Sequence, residues 1–343
     1  MRAAMRVFAD EQGETALMAF AEAEQLDSMR VLLQRSTDPA AMTMLTCARG
    51  LTALVAAAST GQVGSMRLLL DHPSADPAAM MMMMSPDGGP STLMMAAGDG
   101  HVDAMELLLD HPSSDAASMM MLADGEGDTA LMWAAASGQV EAMRLLLYHP
   151  SADSAAMIVL ANVEGDTALM AAAGAGHVGA MDRLLNHPAA DTAAMIVLTN
   201  GEGETALMLA AIEGHVDAMR LLHNHPSADA AAMMMLTDTN DFSAFIRAAQ
   251  TGQAESMRLL LDHPSANPAA MLMHTGTTAL MWAALSGHVD AMHLLLDHPS
   301  ADAAAMTLLA KTRAGPPSYR LLWEATWTPC ASCLTTYLPT QQP

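Results

Sequence analysis

The amino-acid sequence predicts an all-α protein, a solenoid of eight helix–turn–helix repeats. The pattern T-A-L-M-x-A-A-x-x-G-[HQ]-V returns eight times, beginning at Thr15, Thr52, Ser91, Thr129, Thr167, Thr205, Ser243 and Thr278. A glycine stands two residues earlier in seven copies: Gly13, Gly50, Gly89, Gly127, Gly165, Gly203 and Gly276. Asp241 takes that place in the remaining copy. Hydrophobic residues make up 52% of the chain and aromatic residues only 3%, a composition that suits thin helical layers.

The fourth copy shows how the sequence builds one repeat. Thr129 is expected to cap a first helix, because its hydroxyl can accept a free backbone N–H, and TALMWAAAS is alanine-rich. Gly138 ends that helix at a position that tolerates left-handed geometry. A second helix is predicted from Val140, with apolar residues at i, i+3 and i+7, until Pro150 prevents its continuation. Such a short hairpin cannot bury its apolar faces alone, so it needs neighbouring repeats on both sides.

The repeat resembles the ankyrin repeat, whose signature includes T-P-L-H-x-A within about 33 residues. TALMWAA stands in the place of that signature, and Gly-His turns follow at Gly100, Gly176, Gly214 and Gly287. Leucines of the second helix match at Leu107, Leu145, Leu259 and Leu294. The sequence departs from the family signature at its histidine, in whose place stand Met132, Met170, Met208 and Met281.

The period of this repeat is about five residues longer than the family's. The extra residues must lie between the second helix and the next glycine, in the segment that forms the family's projecting finger. An aspartate before a run of alanines, as at Asp76-Pro77, is a signal for the start of a helix. We therefore expect lengthened finger loops with an extra helical turn ahead of each finger, although the segments at Ile158 and Ile196 could equally be extended.

Three regions are expected along the chain. A lead-in covers residues 1–12, and the non-repeat tail covers residues 312–343. The repeat array between them covers residues 13–311, divided as 13–49, 50–88, 89–126, 127–164, 165–202, 203–240, 241–275 and 276–311. Glu24, at the place of a turn glycine, fits a polar cap on the first repeat. In the tail, Leu321 to Trp323 either fold back over the last helices or belong to a disordered segment.

The sequence predicts no enzyme and no cofactor. It lacks G-x-S-x-G, a P-loop, G-x-G-x-x-G and HExxH. Carboxylate pairs such as Glu126 and Asp128 recur with the repeat, so they indicate a surface ridge and not one tuned acid–base pair.

No metal site is predicted either. Eleven of the 14 histidines have fixed repeat positions, and repeats about 10 Å apart are too distant to share a metal bound at about 2 Å. The recurrent methionines are interpreted as core residues, as at Met105, Met143, Met181 and Met219. Cys330 and Cys333 lack a second ligand pair and are interpreted as incidental, with a redox or metal role as the alternative.

The formal net charge of −23 argues against binding to nucleic acid or to an anionic membrane surface. A basic protein partner is compatible with this charge, and the alternative is that the acid only keeps the array soluble. Three cysteines form no disulfide framework, and neither a signal peptide nor a spanning apolar run is found. We expect a soluble monomer in the cytoplasm, with the nucleus as a second location.

The resemblance implies a partner held by the finger tips and by the concave side of the first helices. The leading hypothesis is a protein-binding scaffold. The alternatives are an adaptor that recruits substrates to a separate enzyme, such as a ubiquitin ligase or kinase, and an array without a fixed partner. The predicted contact residues are Asp99, Asp124, Glu126, Asp128, Trp133, Glu164, Asp166, Glu202, Glu204, Glu213, Asp238, Asp241 and Trp282.

Overall fold

The structure is a computed structural model that describes residues 9–297 except 86, 268–270, 272 and 275–276; for residues 273–274 and 277–278 it gives the backbone alone. The chain divides into two compact units, Met1–Met195 and Ile196–Pro343. Within each unit, the helix–turn–helix repeats stack as an α-solenoid, as the sequence predicts. The expected tail at 312–343, with Cys330 and Cys333, lies outside the described residues.

The first unit is built from helices throughout its described length. They are α1 Ala16–Glu22, α2 Leu26–Arg35, α3 Pro39–Thr43, α4 Ala53–Ser59, α5 Val63–Leu70, α6 Pro77–Met82, α7 Thr92–Gly98, α8 Val102–Asp110, α9 Ala116–Met121, α10 Ala130–Ala136, α11 Val140–Tyr148, α12 Ser154–Val159, α13 Ala168–Gly174 and α14 Val178–Leu185. Helix α15, Thr192–Ile196, lies at the division between the units.

The second unit continues the same order of elements. Its helices and strands are α16 Ala206–Glu213, α17 Val216–Asn224, α18 Ala230–Met235, α19 Ala244–Thr251, α20 Ala254–Leu261, β1 Met273–His274, β2 Thr277–Thr278, α21 Ala279–Leu285 and α22 Val289–Asp297. Strands β1 and β2 pair antiparallel. Single antiparallel bridges such as Ala123 with Thr129 close the base of four other fingers, so these fingers are short hairpins.

The first two helices of each repeat begin and end where the sequence predicts. The Thr129 hydroxyl accepts a hydrogen bond from the Met132 backbone N–H at 3.4 Å. Gly138 has a φ of 69° and separates α10 from α11. Helix α11 ends at Tyr148, before the His-Pro pair, and its Met143 side chain is fully buried. The equivalent Met105, Met181 and Met219 are also fully buried, which confirms their role in the core.

In each of the first six repeats, the predicted extra turn is a third helix of five or six residues. The Asp153 carboxylate caps α12 by accepting a hydrogen bond from the Ala156 N–H at 3.1 Å. The same bond is made by Asp38, Asp76, Asp115, Asp191 and Asp229. Because Ile158 and Ile196 both lie in helices, the extended alternative is wrong for these residues.

The finger that leads into the third repeat has its left-handed glycine one residue earlier than the repeat pattern places it. Gly88, and not Gly89, has the left-handed φ, at 76°. A Cβ atom on Gly88 would lie 2.8 Å from the Gly125 Cα, because the Gly125 N–H donates to the Gly88 carbonyl. This loop is one residue longer than its neighbours, which moves the turn glycine. In the seventh repeat Asp241 itself adopts the left-handed conformation, with a φ of 61°.

The repeats share their core with their neighbours. First helices pack on first helices, as α7, α10 and α13 do, and second helices pack on second helices. The third helix α12 contacts both α11 of its own repeat and α13 of the next. Within each unit, adjacent repeats therefore bury their apolar faces against each other, as the length of the helices requires.

One buried position breaks the apolar pattern of the second helices. His223 of α17 occupies the place of Leu147 in α11 and Leu261 in α20 and is 5% exposed. Neither of its ring nitrogens has a hydrogen-bond partner among the described residues. Its ring centroid lies 5.1 Å from that of His263. Burial, and secondarily the His263 imidazole, lowers the pKa of His223 from 6.5 to about 4.

We predict that His223→Leu stabilises the protein and flattens its acid dependence. The unfolded chain binds a proton at His223 more readily than the folded chain. The free energy of unfolding of the wild type therefore falls as the pH decreases from about 6.5 to about 4, by about 3 kcal/mol. Urea unfolding at several pH values measures this loss, which the leucine variant should lack.

His215→Gln is the matched control, because Gln139 and Gln253 occupy the same turn position in other repeats. It should keep the pH dependence of the wild type. Parallel pH curves for the wild type and His223→Leu would contradict the assignment.

Candidate functional site

Five of the described fingers are each organised by one side chain, five residues before the cap of the next helix. In the finger that leads into the fourth repeat, Asp124 Oδ1 accepts hydrogen bonds from the backbone N–H groups of Glu126 at 3.0 Å and Asp128 at 2.8 Å. The equivalent residues, with the same pair of bonds, are Asp10, Asn162, Asn200 and Asp238. Asn162 and Asn200 were not among the predicted site residues, although an Asx residue at this fixed position is a recognisable turn signal.

Neighbouring fingers are joined by hydrogen bonds. In the first unit, the Val163 N–H donates to the Glu126 carbonyl at 2.8 Å, and Asn162 Nδ2 donates to Asp128 Oδ1 at 2.9 Å. In the second unit, the Thr239 N–H donates to the Glu202 carbonyl at 2.8 Å. Burial raises the pKa of Asp128, and the bond from Asn162 opposes this shift. The backbones of the finger tips are thus held in fixed positions.

Several of the predicted carboxylates are exposed. Glu126 and Glu164 project from finger tips of the first unit, and Glu202 occupies the same place in the second unit. Asp99, Glu213 and Asp241 are exposed as well, the first two at the ends of first helices. Asp124, Asp128 and Asp166 are half-buried, so they offer less of their side chains to a partner.

Two predicted ridge residues are instead buried around an arginine. Arg247 Nε donates to Asp238 Oδ2 at 2.6 Å, and its Nη2 lies 3.2 Å from Glu204 Oε1. The Asp238 side chain is completely buried, and that of Glu204 is 10% exposed. Burial raises the pKa of Glu204, and Arg247 opposes this shift. The sequence predicts a solvated ridge at both positions, but Arg247 on α19 draws the two carboxylates inward.

The two predicted tryptophans are half-buried and differ in their hydrogen bonding. Trp133 Nε1 donates to Asp124 Oδ2 at 3.0 Å, and the indole ring packs against Gly98 of the preceding repeat. Trp282 packs edge to face on Phe242 with ring centroids 5.2 Å apart. Its Nε1 is buried without a partner among the described side chains and backbone.

A family model for ankyrin repeats in three copies matches residues 3–81, 79–158, 153–233 and 228–307. The chain belongs to the ankyrin repeat family. No curated protein matches the chain as a relative. Ankyrin repeats are general modules of protein–protein interaction.

Four of the five fingers with such an organising residue follow a pairing rule between that residue and the fifth residue of the repeat pattern. In the remaining finger, the exposed Asp10 stands with Ala19. Asp124 receives the Trp133 indole N–H, and Asp238 receives the Arg247 guanidinium. Where the organising residue is the neutral Asn162 or Asn200, the fifth residue of the pattern is Ala171 or Leu209, whose side chain has no donor. In these four fingers, a buried or half-buried carboxylate thus occurs with a donor, and an amide occurs with an apolar side chain.

The described part of the array contains no group of three or more His, Cys, Asp or Glu side chains arranged to hold a metal ion. None of its helices is both long and apolar enough to cross a membrane.

We predict that Arg247→Leu destabilises the protein by about 3 to 5 kcal/mol, because it leaves Asp238 and Glu204 buried without their cation. Adding Asp238→Asn reproduces the Asn200 and Leu209 pair of the preceding repeat and should recover more than half of the loss. Urea unfolding measures both variants.

Arg258→Leu removes the exposed pair with Glu255 and serves as the control, with an expected cost below about 1 kcal/mol. A double variant no more stable than Arg247→Leu alone would contradict the pairing rule.

We also predict that Trp133→Phe costs about 1 to 2 kcal/mol more than Trp282→Phe. Both variants lose similar ring area, but only the first removes the donor that the Asp124 carboxylate uses. Chemical denaturation of the two variants in parallel measures the difference. Equal losses of stability would show that the indole N–H of Trp133 contributes nothing to the fold.

Proposed function

We propose that this chain is a non-enzymatic protein-binding scaffold. Its partner is held by finger tips and by the exposed side of the first helices, which is the concave side of the ankyrin fold. The proposed contacts within the first unit are Asp99, Glu126, Trp133 and Glu164. Those within the second unit are Glu202, Glu213, Asp241 and Trp282. Asp124, Asp128 and Asp166 support the first set from half-buried positions.

The observation that carries the proposal is the combination of fixed backbones and exposed glutamates at the finger tips. The Glu126 carbonyl accepts the Val163 N–H, and the Glu126 side chain is exposed. A binding surface whose backbone is already ordered loses less conformational entropy when a partner docks. The finger tips are therefore suited to contact another protein without first rearranging.

The charge of the finger tips favours a partner with basic side chains. Glu126 and Glu164 add exposed negative charge to a chain whose net charge is −23. Trp133 offers a partly exposed ring beside them, and half-buried tryptophans are frequent anchors of protein interfaces. We further infer a reducing compartment, the cytoplasm or the nucleus, because the chain has only three cysteines.

The test is a quantitative pull-down with the full chain and a variant that carries Glu126→Gln, Glu164→Gln and Glu202→Gln. We expect proteins captured by the wild type at low salt to be lost from this variant. Their capture by the wild type should also decrease at high salt, because exposed charge pairs are screened.

The matched control carries Glu141→Gln, Asp217→Asn and Glu255→Gln on the second helices, which changes the net charge equally. It should capture the same proteins as the wild type. Unchanged capture by the finger-tip variant would contradict the proposed surface. A captured ligase or kinase with its substrate would favour the adaptor form of the scaffold.

A further inference from the structure

The outer faces of the second helices carry a repeated ion pair. An acidic residue at the second position of the helix pairs with an arginine three residues later, as in Glu141 with Arg144 at 2.7 Å. The same spacing joins Asp217 to Arg220 at 3.1 Å and Glu255 to Arg258 at 3.1 Å. In these repeats, the arginine offsets the charge of its own helix.

The third repeat breaks this pairing. Helix α8 has Asp103 at the acidic position, but Glu106 stands where the arginine should be. Both side chains are exposed, and two like charges three residues apart on a helix repel each other. The outer face of α8 therefore carries negative charge that no basic residue of the same helix offsets.

This face forms one wall of an open groove between α5 and α8, with a volume of about 780 Å³. Four carboxylates line the groove: Asp71, Asp103, Glu106 and Asp110. Its lining includes one arginine, Arg67 of α5. The apolar part of the lining is formed by Val63, Leu70 and Leu107.

We propose that this outer groove docks a segment of a partner protein in which lysine or arginine residues alternate with apolar residues. The carboxylates of the lining match the basic side chains of such a segment, and the apolar residues of the lining match its apolar side chains. Long basic side chains can lay their aliphatic stems on Val63 and Leu107 and place their charged ends beside Asp103 and Glu106. The volume lies within the range of about 300 to 1,000 Å³ that is typical of ligand clefts.

The groove is separate from the finger tips, so its role does not depend on the proposed function. In the fourth repeat, Arg144 occupies the position of Glu106 and Tyr148 occupies that of Asp110. The outer face of that repeat thus has two fewer carboxylates, and its Glu141 is already paired. Glu106 stands where these other repeats have an arginine, and this difference makes the groove of the third repeat selective for cations.

The test measures binding of a fluorescein-labelled peptide of alternating lysine and leucine to the full chain by fluorescence anisotropy. We expect saturable binding by the wild type and about tenfold weaker binding by Glu106→Arg. The substitution gives Asp103 the partner that Glu141 has in Arg144, so the variant should remain folded. Arg67→Ala removes the positive charge of the opposite wall and should strengthen binding.

Asp182→Arg is the matched control. Asp182 follows Met181 on α14 as Glu106 follows Met105 on α8, and the change in net charge is the same. The affinity of this variant for the peptide should stay within about twofold of the wild type, because Asp182 lies outside the groove between α5 and α8. A lysine and serine peptide of the same charge should bind more weakly than the leucine peptide, since it lacks apolar contacts.

Absence of peptide binding by the wild type would overturn the proposal. Equal weakening by Glu106→Arg and Asp182→Arg would also overturn it, because bulk charge would then explain the binding. The finger-tip variant should bind the peptide as the wild type does, which separates this groove from the proposed function.

Discussion

The burial of each repeat's apolar faces by its neighbours is the constraint on which the structure depends. The first and second helices are seven to ten residues long, and helices shorter than about 12 residues are marginal in water on their own. The alanines Ala134 and Ala135 of α10 are completely buried, which allows adjacent first helices to approach closely. Stability therefore comes from contacts between repeats, and positions that make these contacts have little freedom to change.

The same constraint separates the part of the repeat that packs from the part that can bind. The leucine and alanine positions of the first helices change little from repeat to repeat, but the fifth residue of the pattern changes widely. It is Ala19, Ala56, Met95, Trp133 and Ala171 in the first unit, and Leu209, Arg247 and Trp282 in the second. On the outer face, Glu106 is a similar departure. Such differences between otherwise similar repeats are where a surface for a particular partner can arise.

The sequence predicted the regular part of the fold because that part depends on local interactions. Thr129 as a cap, Gly138 as a turn and the aspartates before the third helices act within a few residues, and the structure confirms them. The burial of Glu204 and Asp238 could not be predicted in this way, because it depends on Arg247 reaching from a later helix. The groove between α5 and α8 likewise exists only when two repeats stack. The contact residues on the fingers stay a prediction.

The central claim is that one repeat cannot hold its structure without its neighbours. It is tested most directly by far-UV circular dichroism and urea unfolding of residues 127–164 alone, compared with residues 89–202, in which the same repeat has a neighbour on each side. We expect the single repeat to be largely unfolded and the longer fragment to be helical and to unfold cooperatively. A single repeat that shows the helical content of α10 to α12 and a cooperative transition by itself would contradict the account.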